Sequence, residues 1–178
     1  MTRAALQTVD DSFRTRLVQG QSFEDRVRHT LWLSGYKAYR FGSDLLAKTA
    51  KDRLVQLDDP TSSFARYLPD LIVTVDGRGS FLVECKFAEP DKENVAIELG
   101  SWTASGALMK LGIRVLVVCP GNENEGLRAE WFDRLRVVKS YPRPPRMNCN
   151  GSGKGFVTVA RSGMRGLAGV MKEFKDEK

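Results

Sequence analysis

Two apolar stretches, Leu68-Pro69-Asp70-Leu71-Ile72-Val73-Thr74-Val75 and Ser80-Phe81-Leu82-Val83-Glu84-Cys85-Lys86-Phe87, decide the fold of this chain. Their β-branched and aromatic residues predict two strands. The segment between them, Asp76-Gly77-Arg78-Gly79, is typical of a hairpin turn. Each predicted strand also carries charged residues, and a buried charge is costly unless it is paired or bound to a metal.

Three of these charged residues should meet at one end of the hairpin. Glu84 and Lys86 are two positions apart, so they project from the same face of their strand. The turn brings Asp70, at the start of the first strand, close to both. Two carboxylates form a hard oxygen site suited to Mg²⁺, beside which Lys86 can orient a water or stabilise negative charge on a phosphate. The alternative is a structural salt bridge between Glu84 and Lys86, with Asp70 capping a turn.

The surrounding sequence predicts a mixed α/β fold. A helical lead-in at 1–20 precedes a helix that Ser22 caps and Gly35 ends. The later expectations are a strand at 36–41, a polar segment at 42–66 with a loop at 58–63, a helix at 92–111, a buried strand at 113–119, an amphipathic helix at 123–136, a strand at 156–160 and a helix at 164–175. This order predicts a mixed central sheet flanked by helices in one domain spanning 1–178.

Composition excludes several classes of protein. Of the 178 residues, 42% are hydrophobic and 28% charged, as in globular proteins. No apolar run approaches the roughly 20 residues that cross a bilayer, and the first residues lack the apolar stretch of a signal peptide. We therefore expect a soluble, cytoplasmic protein with no membrane partner. One histidine and three widely spaced cysteines argue against a zinc site.

Positive charge is concentrated towards the C-terminus. The net charge is +6, and residues 134–165 contain eight Lys and Arg residues and no acid. Such a segment is suited to a nucleic-acid backbone, because each neutralised phosphate releases a counterion. A solvated basic surface is the alternative. The residues predicted to contact the backbone are Arg136, Lys139, Arg143, Arg146, Lys154 and Arg161.

The pattern Pro69-Asp70, followed 14 positions on by Glu84-Cys85-Lys86, resembles the signature of the PD-(D/E)XK nuclease superfamily. That superfamily contains restriction endonucleases, archaeal-type Holliday junction resolvases and phage exonucleases. Its core has the order α-β-β-β-α-β, which the elements predicted over residues 22–119 match. The resemblance implies a restriction endonuclease-like core at about 22–119, with a basic C-terminal extension at about 134–178.

The resemblance also implies roles for individual residues. Asp70 and Glu84 are similar to the metal-binding acids, Lys86 to the catalytic lysine, and the carbonyl of Cys85 to a further ligand. Glu24 lies on the first helix, where many members keep an acid that faces the metal. A first-turn carboxylate that stabilises the helix dipole is the other interpretation of Glu24. Members often carry a polar residue on the helix after the motif, for which the candidates are Glu98, Ser101 and Lys110.

These features predict a Mg²⁺-dependent DNA endonuclease, with Mn²⁺ as an alternative metal. The resemblance favours a structure-selective enzyme of the Holliday junction resolvase kind, which acts in DNA recombination and repair. We expect a homodimer, because a four-way junction has two scissile strands related by approximate two-fold symmetry. Two alternatives stay open: a restriction-type or nicking endonuclease on duplex DNA, and a non-catalytic nucleic-acid-binding module.

Overall fold

The chain alternates helices and strands along its length. The computed structural model describes residues 3–46, 48–57, 59–89, 91–121, 126–141 and 155–176. No helix in the described part of the chain is both long enough and apolar enough to cross a membrane. The elements are α1 (Arg3–Leu33), β1 (Lys37–Arg40), α2 (Lys48–Gln56), α3 (Pro60–Arg66), β2 (Leu71–Val75), β3 (Gly79–Cys85), β4 (Asn94–Glu98), α4 (Leu99–Lys110), β5 (Val115–Pro120), β6 (Leu127–Trp131), β7 (Val137–Tyr141), β8 (Phe156–Ala160), β9 (Arg165–Gly166) and α5 (Leu167–Asp176).

Two sheets organise the described residues. The main sheet has six strands in the order β1-β2-β3-β5-β6-β9, and the small sheet has three in the order β4-β8-β7. In the main sheet β3 and β5 are parallel, while the other neighbouring strands are antiparallel. Helix α4 and strand β4 lie in the crossover between β3 and β5. The predicted mixed sheet with flanking helices is therefore confirmed.

Helix α1 packs on the main sheet through a stripe of apolar residues. Phe23, Val27 and Leu31 recur every four positions and are 3%, 0% and 0% exposed. The helix ends as expected at Gly35, whose φ of 84° is a left-handed value that suits glycine. The helix is continuous from Arg3, however, so Ser22 lies inside it and does not cap its start.

The β2–β3 hairpin has a register that aligns the charged residues of its two strands. Leu71 is paired with Val83, and both side chains are fully buried. At the turn, Gly77 and Gly79 have φ values of 73° and 107°, which the tight reversal requires. Because Leu71 opposes Val83, the next position outward places Asp70 opposite Glu84 at the open end of the hairpin.

Each face of the main sheet is covered by a different layer. On one face α1 and α5 pack against the sheet, and Phe174 of α5 contacts Phe81 with ring centroids 5.0 Å apart. On the other face, Val95 and Ile97 of β4 pack with Val117 of β5. Helix α5 supplies part of the core that lies between α1 and the main sheet. The C-terminal region that is predicted as an extension therefore contributes to the packed structure.

Two of the predicted helices are wrong in part or in full. In the segment 92–111, residues 94–98 form β4, which pairs with β8, and only residues 99–110 are helical. The predicted helix at 123–136 is replaced by β6 and a 3-10 turn at Phe132–Arg134; residues 122–125 lie outside the described residues. Pairing with distant strands overrides the local helical spacing in both places.

The loop predicted at 58–63 is also wrong over most of its length. Asp59 caps helix α3 by accepting hydrogen bonds from the backbone N–H groups of Thr61 and Ser62 at 2.9 and 3.0 Å. Pro60 occupies the first turn, where its missing N–H costs nothing. The same residue types favour both loops and helix starts. Residue 58 lies outside the described residues.

Candidate active site

The structure brings Asp70, Glu84 and Lys86 together at the open end of the β2–β3 hairpin. Lys86 Nζ lies 2.6 Å from Glu84 Oε1. Asp70 Oδ2 accepts a hydrogen bond of 2.7 Å from the backbone N–H of Cys85. The hairpin register therefore holds two carboxylates and an ammonium group within one small site.

Burial makes this cluster electrostatically unusual. Glu84 is a charged residue in an otherwise apolar stretch of β3, and it is only 2% exposed. The Lys86 side chain is 21% exposed, so most of it is covered by the protein. A buried carboxylate needs a charged or hydrogen-bonding partner, and Lys86 supplies it.

The pKa of Asp70 reflects crowding by like charges. Burial raises the pKa of Asp70 well above its usual range, and the nearby carboxylates of Glu84 and Glu24 raise it further. Lys86 and the hydrogen bond from Cys85 act in the opposite direction without cancelling these effects. Removing a proton from Asp70 therefore adds negative charge to a site that already holds an excess of it.

The pKa of Lys86 is shifted upwards. Burial alone would lower the pKa of this ammonium, but the carboxylates of Glu84, Asp70 and Glu98 together raise it above its ordinary value. Lys86 is therefore protonated at neutral pH. In this state it can donate hydrogen bonds but cannot accept a proton.

Glu24 of α1 belongs to the same site. Its charge raises the pKa of both Asp70 and Cys85, and its Oε2 atom is buried. The interpretation of Glu24 as a first-turn carboxylate is wrong, because α1 begins at Arg3. Helix α1 thus adds a third carboxylate to the end of the hairpin.

Glu98 is the residue that sequence reasoning left undecided. It ends β4 and stands directly before α4, and its charge acts on Lys86. Of the other two candidates, Ser101 is buried in α4, while Lys110 is exposed at the far end of that helix. Assigning Glu98 required the boundary between β4 and α4, which the helical spacing of the sequence conceals.

Cys85 contributes only through its backbone. Its thiol lies in the core cluster between the main sheet and α1, on the face opposite Glu84. Burial raises the pKa of this thiol well above its usual range, so the side chain stays neutral. Any contact between Cys85 and a ligand at the site is therefore limited to its backbone groups.

The donor set fits a hard divalent cation. The carboxylates of Asp70, Glu84, Glu24 and Glu98 outnumber the single ammonium of Lys86, so a cation would relieve a local excess of negative charge. Among the described residues, no group of three or more His, Cys, Asp and Glu side chains is arranged to hold a metal. Mg²⁺ does not need such a group, because it keeps several waters and binds through one or two carboxylates.

The residues predicted to contact nucleic acid differ in their exposure to solvent. Arg136 and Lys139 are exposed, and Lys139 Nζ lies 4.8 Å from the ring centroid of Tyr141. Arg161 is only 4% exposed and donates a 2.7 Å hydrogen bond from Nη2 to the carbonyl of Glu89. Its predicted place on an open basic surface is therefore wrong, because the guanidinium holds the loop after β3. The predicted contacts that lie outside the described residues are Arg143, Arg146 and Lys154.

Comparison with solved structures identifies the fold. The chain is similar to Hjc, a Holliday junction resolvase from the archaeal hyperthermophile Archaeoglobus fulgidus, with a TM-score of 0.53 and 14% identity over 86% of this chain and 96% of that chain. D212, a nuclease from a fusselovirus, gives a TM-score of 0.40 and 9% identity over 90% of this chain and 89% of that chain. No protein-family model and no curated protein sequence matches the chain.

The similarity to the resolvase confirms the fold that the sequence motif implies. The chain has a mixed α/β fold, with a six-stranded sheet flanked by helices, like that of the Archaeoglobus fulgidus resolvase. At 14% identity the comparison establishes the fold alone.

Proposed function

We propose that this chain is a Mg²⁺-dependent nuclease that hydrolyses phosphodiester bonds in DNA, with Mn²⁺ as an alternative metal. One observation carries the proposal: two carboxylates, Asp70 and Glu84, and the ammonium of Lys86 converge at one end of the main sheet. A fold hosts many functions, so the assignment of a function depends on this site. The similarity in fold to a Holliday junction resolvase is consistent with a nuclease.

The chemistry divides between the metal and the side chains. Asp70, Glu84 and the Cys85 carbonyl would hold the metal. Bound Mg²⁺ would supply Lewis acidity towards a phosphate and make a nearby water more acidic. Hydrolysis joins the oxygen of water to phosphorus while the bond to the leaving oxygen breaks. Protonated Lys86 would donate a hydrogen bond to the phosphate, whose negative charge grows in the transition state.

We propose that the substrate is branched DNA. We also propose that the enzyme is a homodimer, which cuts on both sides of a junction. The net charge of +6 and the exposed Arg136 and Lys139 favour a polyanion. The similarity in fold to a Holliday junction resolvase supports the choice of a branched substrate. A two-fold symmetric dimer would match the two scissile strands of a four-way junction.

A cleavage assay on a panel of labelled DNAs tests this proposal. Single-stranded, duplex, flap and four-way-junction DNAs are incubated with Mg²⁺, Mn²⁺ or a chelator. We expect metal-dependent cutting near the branch point. Cutting of a linear duplex at one sequence would favour a restriction-type enzyme, and binding without cutting of any DNA would favour a non-catalytic module.

Substitution of the carboxylates tests the site itself. Asp70→Asn and Glu84→Gln should each lower cleavage by at least about 100-fold, because each removes a charged metal ligand. Both variants should keep most of their DNA affinity. Asp76→Asn is the matched control, since Asp76 lies at the exposed turn of the same hairpin and pairs with Lys37. If Glu84→Gln cleaved DNA at the parental rate, the site would be misassigned.

Charge reversal tests the role of the C-terminal basic segment. Arg143→Glu with Arg146→Glu should weaken binding to every DNA and reduce the slope of affinity against salt by about one for each lost phosphate contact. Lys172→Glu, at an exposed position of α5, serves as a control for half of that change in net charge. An unchanged salt slope in the double variant would remove the segment from the interface.

A further inference from the structure

A cavity lies between α3 and the first turns of α4. Its volume is about 550 Å³, within the range of small-ligand sites. The residues that form its walls are mostly apolar or aromatic, and they include Pro60, Phe64, Tyr67, Leu99, Thr103 and Ala104. The catalytic chemistry proposed above uses none of them.

The aromatic wall depends on a glycine. A Cβ at Gly100 would lie 2.3 to 2.5 Å from three ring carbons of Tyr67, so only glycine allows this ring to rest against α4. Phe64, which precedes Tyr67 by three residues and also lines the cavity, remains 36% exposed although it is a large apolar residue. The cavity therefore presents two aromatic side chains that a flat ligand can contact.

Both walls continue directly into the charged site. Tyr67 is three residues before Asp70, so their Cα atoms are at most about 11 Å apart. Leu99 directly follows Glu98, whose charge acts on Lys86. A ligand that filled the cavity would lie within a nucleotide or two of a phosphate at the carboxylates.

The charges around the cavity suit one class of ligand. The guanidinium of Arg66 lies 5.8 Å from the ring centroid of Tyr67, which lines the cavity. An apolar, aromatic space with a cation beside it matches a polymer of flat bases on an anionic backbone.

We propose that this cavity binds an unpaired nucleobase adjacent to the scissile phosphate. The proposal rests on the proposed nuclease function and narrows its substrate to DNA with an unstacked nucleotide at the point of cleavage. A base inside a continuous duplex cannot reach such a cavity without leaving its stack, which costs a few kcal/mol. Branch points and single strands offer unpaired bases without that cost.

The test measures base binding separately from cleavage. Single-stranded oligonucleotides carry the fluorescent base 2-aminopurine at successive positions and are titrated with protein in the presence of a chelator. We expect a fluorescence change at one or two adjacent positions. Phe64→Ala should remove this change and weaken binding about tenfold, the scale of one lost stacking contact.

A second variant closes the cavity without shortening an aromatic side chain. Thr103 is exposed on its rim, so Thr103→Trp should fill the space while the core stays intact, and it should reproduce the loss seen with Phe64→Ala. Trp32→Ala is the control, because Trp32 is a 62% exposed aromatic residue on α1 and does not line the cavity. This control should bind and report like the parent.

The two proposals fail in different ways. If the parent cuts branched DNA but neither Phe64→Ala nor Thr103→Trp alters the fluorescence, the base site is refuted and the nuclease stands. If position-specific fluorescence depends on Phe64 but no DNA is cut with any metal, the base site stands and the nuclease is refuted. If Phe64→Ala instead converts a dimer to a monomer in sedimentation, a second copy of the chain covers the cavity and the base site is refuted.

Discussion

Replacing Lys86 by methionine should destabilise the protein strongly. The change keeps most of the side-chain volume but removes the ammonium that lies 2.6 Å from Glu84 Oε1. The Glu84 side chain is only 3% exposed, so water cannot replace the lost partner. The carboxylates of Asp70 and Glu84, which already repel each other, would then lose the attraction of the Lys86 ammonium.

The size of the effect follows from burial. Removing one partner of a buried ion pair costs about 3–5 kcal/mol in the free energy of unfolding. The Lys86 side chain is 21% exposed, so water already screens part of the interaction, and we expect the lower value, about 3 kcal/mol. With a denaturant dependence of about 2 kcal/mol per molar urea, the unfolding midpoint should fall by about 1.5 M.

Equilibrium urea unfolding of three proteins checks this prediction. The parent, Lys86→Met and the double variant Lys86→Met with Glu84→Gln are compared under one set of conditions. The double variant should recover most of the loss, because it leaves no uncompensated charge on Glu84. The buried ion pair would be refuted by a free energy of unfolding for Lys86→Met within about 0.5 kcal/mol of the parent value. It would also be refuted by a double variant no more stable than the single one.

Two further predictions concern the fold. Gly100→Ala should lower the free energy of unfolding by about 1–3 kcal/mol, because its Cβ would overlap the Tyr67 ring. Gly106→Ala, in the same helix, should be neutral or stabilising, because the nearest atom to the added Cβ would be 3.9 Å away. Equal losses of unfolding free energy for the two variants in urea would contradict this reasoning. Glu173→Gln should destabilise the protein at neutral pH but not near pH 2. Hydrogen bonds from Arg134 and Arg165 lower the pKa of Glu173 to about 2. Because the unfolded carboxyl has a pKa of about 4.3, its contribution is present above that pH and is lost as the pH falls towards 2. A stability difference that does not vary with pH would refute this.

The hairpin and its charged residues could be predicted because the information is local. The apolar alternation, the turn glycines and the positions of Asp70, Glu84 and Lys86 all lie within 19 residues of sequence. The register of the hairpin then places the charges, as the pairing of Leu71 with Val83 demonstrates. Bringing Asp70, Glu84 and Lys86 together therefore did not depend on distant contacts, unlike the contributions of Glu24 and Glu98.

The errors arose where distant strands decide the structure. Val95 and Leu99 are four positions apart, which fits a helix, yet Val95 pairs with Val159 of β8 in the small sheet. Leu127 and Trp131 have the same spacing, yet β6 pairs with β5 and buries Trp131 against α5. Because the position of Glu98 depends on where β4 ends, its electrostatic effect on Lys86 could not be predicted from local spacing.

The surface of α1 illustrates a second limit. Trp32 follows the core residue Leu31 and is expected to be buried on size and hydrophobicity, but it is 62% exposed. Adjacent helical residues point about 100° apart, so the two side chains cannot both face the sheet. The sequence shows both candidates, and only the packing of α1 decides between them.

Crystals soaked with Mn²⁺ would show whether Asp70 and Glu84 hold a metal, because anomalous scattering locates this metal without reference to activity. We expect an anomalous peak about 2.1 Å from carboxylate oxygens of both Asp70 and Glu84, and its loss in Asp70→Asn. Absence of a peak at saturating Mn²⁺, with Lys86 still seated against Glu84, would contradict the metal site and leave a structural salt bridge in its place.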